Sequence, residues 1–192
     1  MNRPTAKHPK PTCLLLLACA VLASPAVASD GGLLRKQRFP ATAHVGDLQL
    51  AGARFEVACH PAKDGSLSIS LVLAKAGSVG GFAQDRFEGP DGIGEQRDLA
   101  RWSVDTRADG LNVKGPISGW YGVDGDGFIF SRSQQNGRPG ALSDLVKAAI
   151  APEARRLRLS IDAPDEGTAL QAELMLGGIQ SAIRDVAGAC IP

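Results

Sequence analysis

The chain has 192 residues, 21 basic and 20 acidic side chains, four Cys and three His. That length allows one domain or two small ones, and a hydrophobic share of 44% with 21% charged residues excludes disorder, collagen and coiled coil. The charge is balanced, which gives no electrostatic reason to expect a nucleic-acid partner.

The first 28 residues read as a secretory signal peptide. Arg3, Lys7 and Lys10 form a positive n-region, Cys13 to Ala23 an apolar core, and Ala26-Val27-Ala28 a small-x-small cleavage site. The apolar run is shorter than the roughly 20 residues that span a bilayer, and no later segment is longer, so no transmembrane segment is expected. The expected location is periplasmic or secreted, with cleavage after Ala28. The alternative is a lipoprotein acylated at Cys19, because Leu16-Leu17-Ala18-Cys19 loosely resembles a lipobox. Three basic and no acidic residues leave with the signal, so the remaining chain is slightly acidic.

Export leaves Cys59 and Cys190, and two Cys in an oxidising compartment most simply form one disulfide. Closing a loop of about 130 residues stabilises by roughly 4 to 5 kcal/mol in the chain-entropy description, an upper figure.

Residues 29–40 are Gly-containing and basic and read as a flexible or edge lead-in to a single β-rich domain over 41–192. From there a period of two dominates, the mark of strands with one buried face. Ala53 to Cys59 and Ser66 to Leu73 alternate around the His60–Gly65 turn, which predicts a hairpin. Residues 76–101 are irregular and Gly-rich. Trp102 to Thr106 with Leu111 to Lys114 predicts a second hairpin, and Ile117 to Val123 with Phe128 to Ser131 a third. A helix follows over about 142–151, with Ser143 as N-cap and Pro152 as its stop. Ala154 to Ile161 and Thr168 to Leu176 read as paired strands, and a second helix covers about 179–187. Consecutive hairpins without strand–helix–strand repeats predict a mainly β fold, an antiparallel β-sandwich or barrel-like domain with two short helices and one disulfide.

Chemistry is sparse. His44 and His60 are the imidazoles left for a base, and no G-x-S-x-G or S-x-x-K accompanies them. Glu88 with Asp91, and Asp124 with Asp126, are paired carboxylates, but both pairs lie in Gly-rich turns where acidic side chains bond nearby backbone. Asp124-Gly125-Asp126-Gly127 has the oxygens of a weak calcium turn but lacks the end ligands of an EF-hand, with Gly122 and Ser133 standing there. No zinc-, iron- or copper-type cluster and no phosphate loop is present, so no metal or cofactor is expected. Arg155, Arg156 and Arg158 read as a solvated strand face.

What remains is recognition. Trp120 and Tyr121 are adjacent on a strand, so their rings point to opposite faces, one inward and the other free to anchor a partner. The expected partner surface is Trp120, Tyr121, Asp124, Asp126, Glu88 and Asp91.

The ending Leu174-Met175-Leu176-Gly177-Gly178-Ile179-Gln180-Ser181-Ala182-Ile183 reads as strand, Gly pair and short helix. It resembles the C-terminal ends of bacterial periplasmic β-sandwich proteins of the invasion-associated locus B type. That short resemblance implies an envelope β-domain and carries over no functional residue. The expected function is a non-enzymatic exported binding protein, an inhibitor or immunity-type protein acting on a toxin or an envelope enzyme, whose partner is another exported protein. The alternatives are a small-ligand or glycan carrier with a cavity between the sheets, and a hydrolase with an acidic site.

Overall fold

The computed structural model describes residues 32–63, 65–77, 79–88, 96–106, 110–123, 126–135 and 139–192. Residues 1–28, expected from the sequence to be a signal peptide and including Cys19, lie outside the described residues, as do Asp91 and Asp124. Ten strands are present among them: β1 (Arg35–Pro40), β2 (Thr42–Val45), β3 (Leu48–Gln49), β4 (Arg54–His60), β5 (Ser66–Leu73), β6 (Gln96–Asp105), β7 (Leu111–Tyr121), β8 (Phe128–Gln134), β9 (Arg156–Ile161) and β10 (Leu170–Met175). Two helices join them, α1 (Ala141–Ala149) and α2 (Gln180–Ala187). None of the described helices is long and apolar enough to cross a membrane.

Every pairing between named strands is antiparallel, in the order β1-β4-β5-β8-β7-β6-β9-β10-β2-β3. The mainly β, barrel-like expectation therefore holds. Two bent segments curl the sheet. Residues 35–45 pair with β4 through β1 and with β10 through β2, so one stretch of chain belongs to both ends of the strand order. β7 pairs with β6 over Leu111–Ile117 and with β8 over Ser118–Tyr121. A proline sits at each bend, Pro40 and Pro116. Lacking an N–H, proline interrupts a ladder, and strands that change sheets are how orthogonally packed β-layers turn their corners.

These bends correct one expectation and decide between the two alternatives, flexible or edge, left open for the lead-in. Residues 111–121 form one strand where the sequence suggests two, because Pro116 stands at the change of partner. The basic lead-in is an ordered edge strand from Arg35, paired with β4 from Arg35↔Cys59 to Pro40↔Arg54.

The hairpin alternation is realised in the core. Leu67, Ile69, Leu71 and Leu73 of β5 face inward with Phe128 and Phe130 of β8, and Trp102 of β6 is fully buried. Phe55 packs against Trp102 with ring centroids 6.0 Å apart. At about 25 cal/mol per Å² of apolar area removed from water, such aromatic burial dominates the stabilisation.

α1 buries Leu142, Leu145, Val146 and Ala149. Gly140 is its N-cap and Ser143 lies one turn inside. The Ser143 hydroxyl accepts from the Gly140 N–H (3.0 Å) and donates to the Gly140 carbonyl (2.8 Å), while the Ser143 N–H donates to Gln134 Oε1 (3.3 Å). Ser143 thus serves the helix start from the third position rather than as the cap. α2 packs on β1 and β4, and Cys190, just beyond it, is bonded to Cys59 of β4 across 131 residues, with Cα atoms 5.8 Å apart.

Candidate functional site

The last turn of β7 runs off the end of the core, and the candidate surface is built there. Ile117 and Gly119 are buried, so alternation points Tyr121 inward and Trp120 outward. Tyr121 does turn toward Phe128, edge to face with centroids 5.2 Å apart. Yet it projects past the rim and stays 43% exposed, while Trp120 is 39% exposed. The expectation that one of the pair is core is corrected: strand direction is as read, but the strand outlasts the barrel at this point. Val123, in the following turn, is 76% exposed.

Gly119 makes this geometry. The Phe128 ring occupies the place a Cβ there would take, so the β7–β8 ladder closes tightly beneath Trp120 and Tyr121. Glu88 is brought to the same strand, because its backbone bridges to Gly119 in parallel fashion. Its N–H donates to the Asp85 carbonyl (3.1 Å), ending the short 3-10 turn Gln84–Phe87. The structure therefore brings Glu88 beside the strand that carries Trp120 and Tyr121, more than thirty positions further along the chain.

Asp126 behaves differently. Arg38 of β1 donates from Nη1 to its Oδ1 (3.0 Å) and from Nη2 to its Oδ2 (2.6 Å), and Arg54 of β4 adds Nη2 to Oδ1 (3.1 Å). Arg38 Nε donates in turn to Glu56 Oε2 (2.7 Å). The hydrogen bond it gives to Glu56, then those it gives to Asp126, hold the Arg38 guanidinium above its ordinary pKa. The Asp126 carboxylate is thus spent on strapping the β7–β8 turn to β1 and β4. It faces two cations, an arrangement opposed to calcium ligation. As a contact for a basic partner it is already neutralised inside the fold. The signal for this clasp, Arg38 and Arg54, sits on strands distant in sequence.

His60 is a turn residue: its Nδ1 accepts from the Lys63 N–H (3.1 Å). His44 is exposed on β2. On the outer face of the β6–β9–β10 layer, Arg158 pairs with Asp105 (2.8 Å) and Glu173 (3.1 Å), and Arg156 with Asp105 (3.2 Å). That solvated face is a neutral lattice of charges rather than a basic patch. Among the described residues, no three His, Cys, Asp or Glu side chains gather into a metal-holding group.

Two polar residues, one half-buried and one fully buried, escape any sequence reading. Arg132 of β8 lies on the same side as Phe130, with its guanidinium where a Cβ on Gly115 would be, and burial lowers its pKa. Gln84 is fully buried in the segment that looks like an irregular loop, beside Phe82 and Phe87. Those two rings stack at 5.4 Å, and Phe87 meets Phe130 edge to face at 5.3 Å.

Compared with family models, with curated proteins and with solved structures, the chain matches none.

Proposed function

We propose that this chain is an exported, non-enzymatic binding protein of the cell envelope. In this reading it caps another exported protein, as an inhibitor or immunity protein does, through the end of β7. The observation that carries the reading is that three apolar side chains close together in sequence, Trp120, Tyr121 and Val123, are each left exposed at the end of one hairpin. Rigid aromatic side chains on a braced scaffold lose little entropy on docking and supply most of the energy at protein interfaces. Glu88 beside them gives the rim a negative charge, which favours a partner presenting a basic cleft.

The test is capture from envelope extract with the intact protein and with the Trp120→Ala/Tyr121→Ala variant side by side. The reading expects one stoichiometric protein retained by the first and lost from the second. Retention of the same protein by both contradicts the surface, and stoichiometric retention by neither contradicts the function. A second reading, a small-ligand carrier, draws support from one separate feature, a partly open pocket of about 150 Å³ lined mainly by Leu48, Leu50, Leu73 and Val79.

A further inference from the structure

β1 stands first in the strand order, paired with β4 on one side and with no strand among the described residues on the other. Its ladder fixes which backbone groups face that open side. Along an antiparallel pair, residues alternate between those that bond the residue opposite and those whose N–H and C=O point away. The Ala41 N–H donates to the carbonyl of Ala53 (3.0 Å), which the β1–β4 register sets opposite it. Alternation back along the strand therefore turns the backbone of Phe39, Gln37 and Arg35 toward β4, and that of Pro40, Arg38 and Lys36 outward. Pro40 agrees with this phase, since proline suits an edge strand where its missing N–H would face away. Among the described residues, no strand pairing or other backbone bond reaches the outward groups of Lys36 and Arg38.

The edge is open and braced. Lys36 and Gln37 are exposed, and with Arg38, Glu56, Val123 and Asp126 they line an open groove. Behind β1, the disulfide ties β4 to the end of α2, which packs on both strands.

Charge selects the occupant. Arg38 is paired with Glu56 and Asp126, whereas Arg35 and Lys36 meet no carboxylate within ion-pair distance among the described residues. A second copy of the chain fits badly. The two-fold antiparallel registers that overlap most of β1 set Lys36 opposite Arg38, or Arg38 opposite Arg38. Like charges directly opposed destabilise a sheet, and an edge lysine is a common bar to self-pairing. A foreign strand with a carboxylate facing Lys36 turns the same side chain into an attraction.

We infer that the β1 edge takes up an extended acidic segment of another protein as an added strand. Main-chain bonds at Lys36 and Arg38 supply the attachment, and a carboxylate opposite Lys36 supplies the preference. The inference does not rest on the docking surface at Trp120 and Tyr121.

The experiment is amide hydrogen exchange on the ¹⁵N-labelled purified protein, alone and with the peptide acetyl-Thr-Val-Glu-Val-Thr-amide. Alone, Gln37 and Phe39 should exchange slowly, and Lys36 and Arg38 fast. The peptide should protect Lys36 and Arg38 as well, with a Kd below about 1 mM. N-methylation at its Glu, which removes an N–H facing β1, should weaken binding roughly tenfold. N-methylation at a Val, whose N–H faces away, should leave it within about twofold. Lys in place of the Glu should weaken binding about fivefold, and Lys36→Glu should reverse the order of these two peptides. The N-methyl pair uses the unaltered chain, so it decides even where that variant does not fold. Slow exchange at Lys36 and Arg38 in the free protein overturns the inference, because the edge is then already covered. Protection that rises with protein concentration alone overturns it too, in favour of a second copy. So does absence of saturation at about 10 mM, equal loss from the two N-methylations, or indifference to the peptide's charge.

Discussion

Asp126 grips Arg38 with both carboxylate oxygens, at 3.0 and 2.6 Å, across 88 positions of sequence. The side chain of Asp126 is only 9% exposed, and Arg54 closes the same oxygen from the neighbouring strand. A turn that looks acidic in sequence is thereby an internal strut. The exposed apolar run above it, from Trp120 to Val123, rests on a hairpin tied down at its far end.

Replacing Asp126 with Asn removes the charge from this strut and leaves two guanidinia partnered only in part. Arg38 and Arg54 are a third or more exposed, so water recovers part of the loss. Urea unfolding of Asp126→Asn should show about 1 to 2 kcal/mol less stability with an unchanged denaturant slope. A loss within experimental error contradicts the strut.

Arg132 makes the opposite case. It is half-buried, its Nη1 has no hydrogen-bond partner, and burial alone lowers its pKa. For a base whose folded pKa lies below its unfolded one, the cost is fully present below the folded value and fades only as the pH rises through it. Arginine stays charged in both states across the neutral range, so that cost is constant there. Arg132→Met should raise stability by about 1 kcal/mol, equally at pH 5 and at about pH 9. A stabilisation that changes across this interval, or a loss, shows that the guanidinium has a partner in the folded protein.

Cys59 and Cys190 close a loop of nearly the whole domain and pin the end of α2 to β4. The Cys59→Ser/Cys190→Ser variant should lose about 3 to 5 kcal/mol, chiefly through a less restricted unfolded state. Thiol labelling of the native protein should find neither cysteine, and quantitative labelling of both contradicts the bond.

Much of this architecture is written locally. Ser66 to Leu73 alternates Leu or Ile with Ser over most of its length, and β5 buries that apolar row as the pattern requires. The β4–β5, β6–β7 and β7–β8 hairpins and both helices follow from the same kind of signal. What is not legible is whatever the closing of the barrel decides. Pro116 reads as a strand end but stands where one strand changes partners. Phe82 and Phe87 have no periodic neighbours, so a core segment passes for a loop. Trp120 and Tyr121 have the right alternation, and only the position of the barrel rim leaves both exposed. Asp126 differs from an ordinary turn acid only because Arg38 and Arg54 come round to meet it.

The measurement closest to the central claim is site-specific photocrosslinking in the living cell. A photoreactive phenylalanine replaces Tyr121 in one strain and Met175, a still more exposed residue of β10, in another. The account expects a single discrete protein adduct from position 121 and none from position 175. The same adducts from both positions, or none from 121, contradict it.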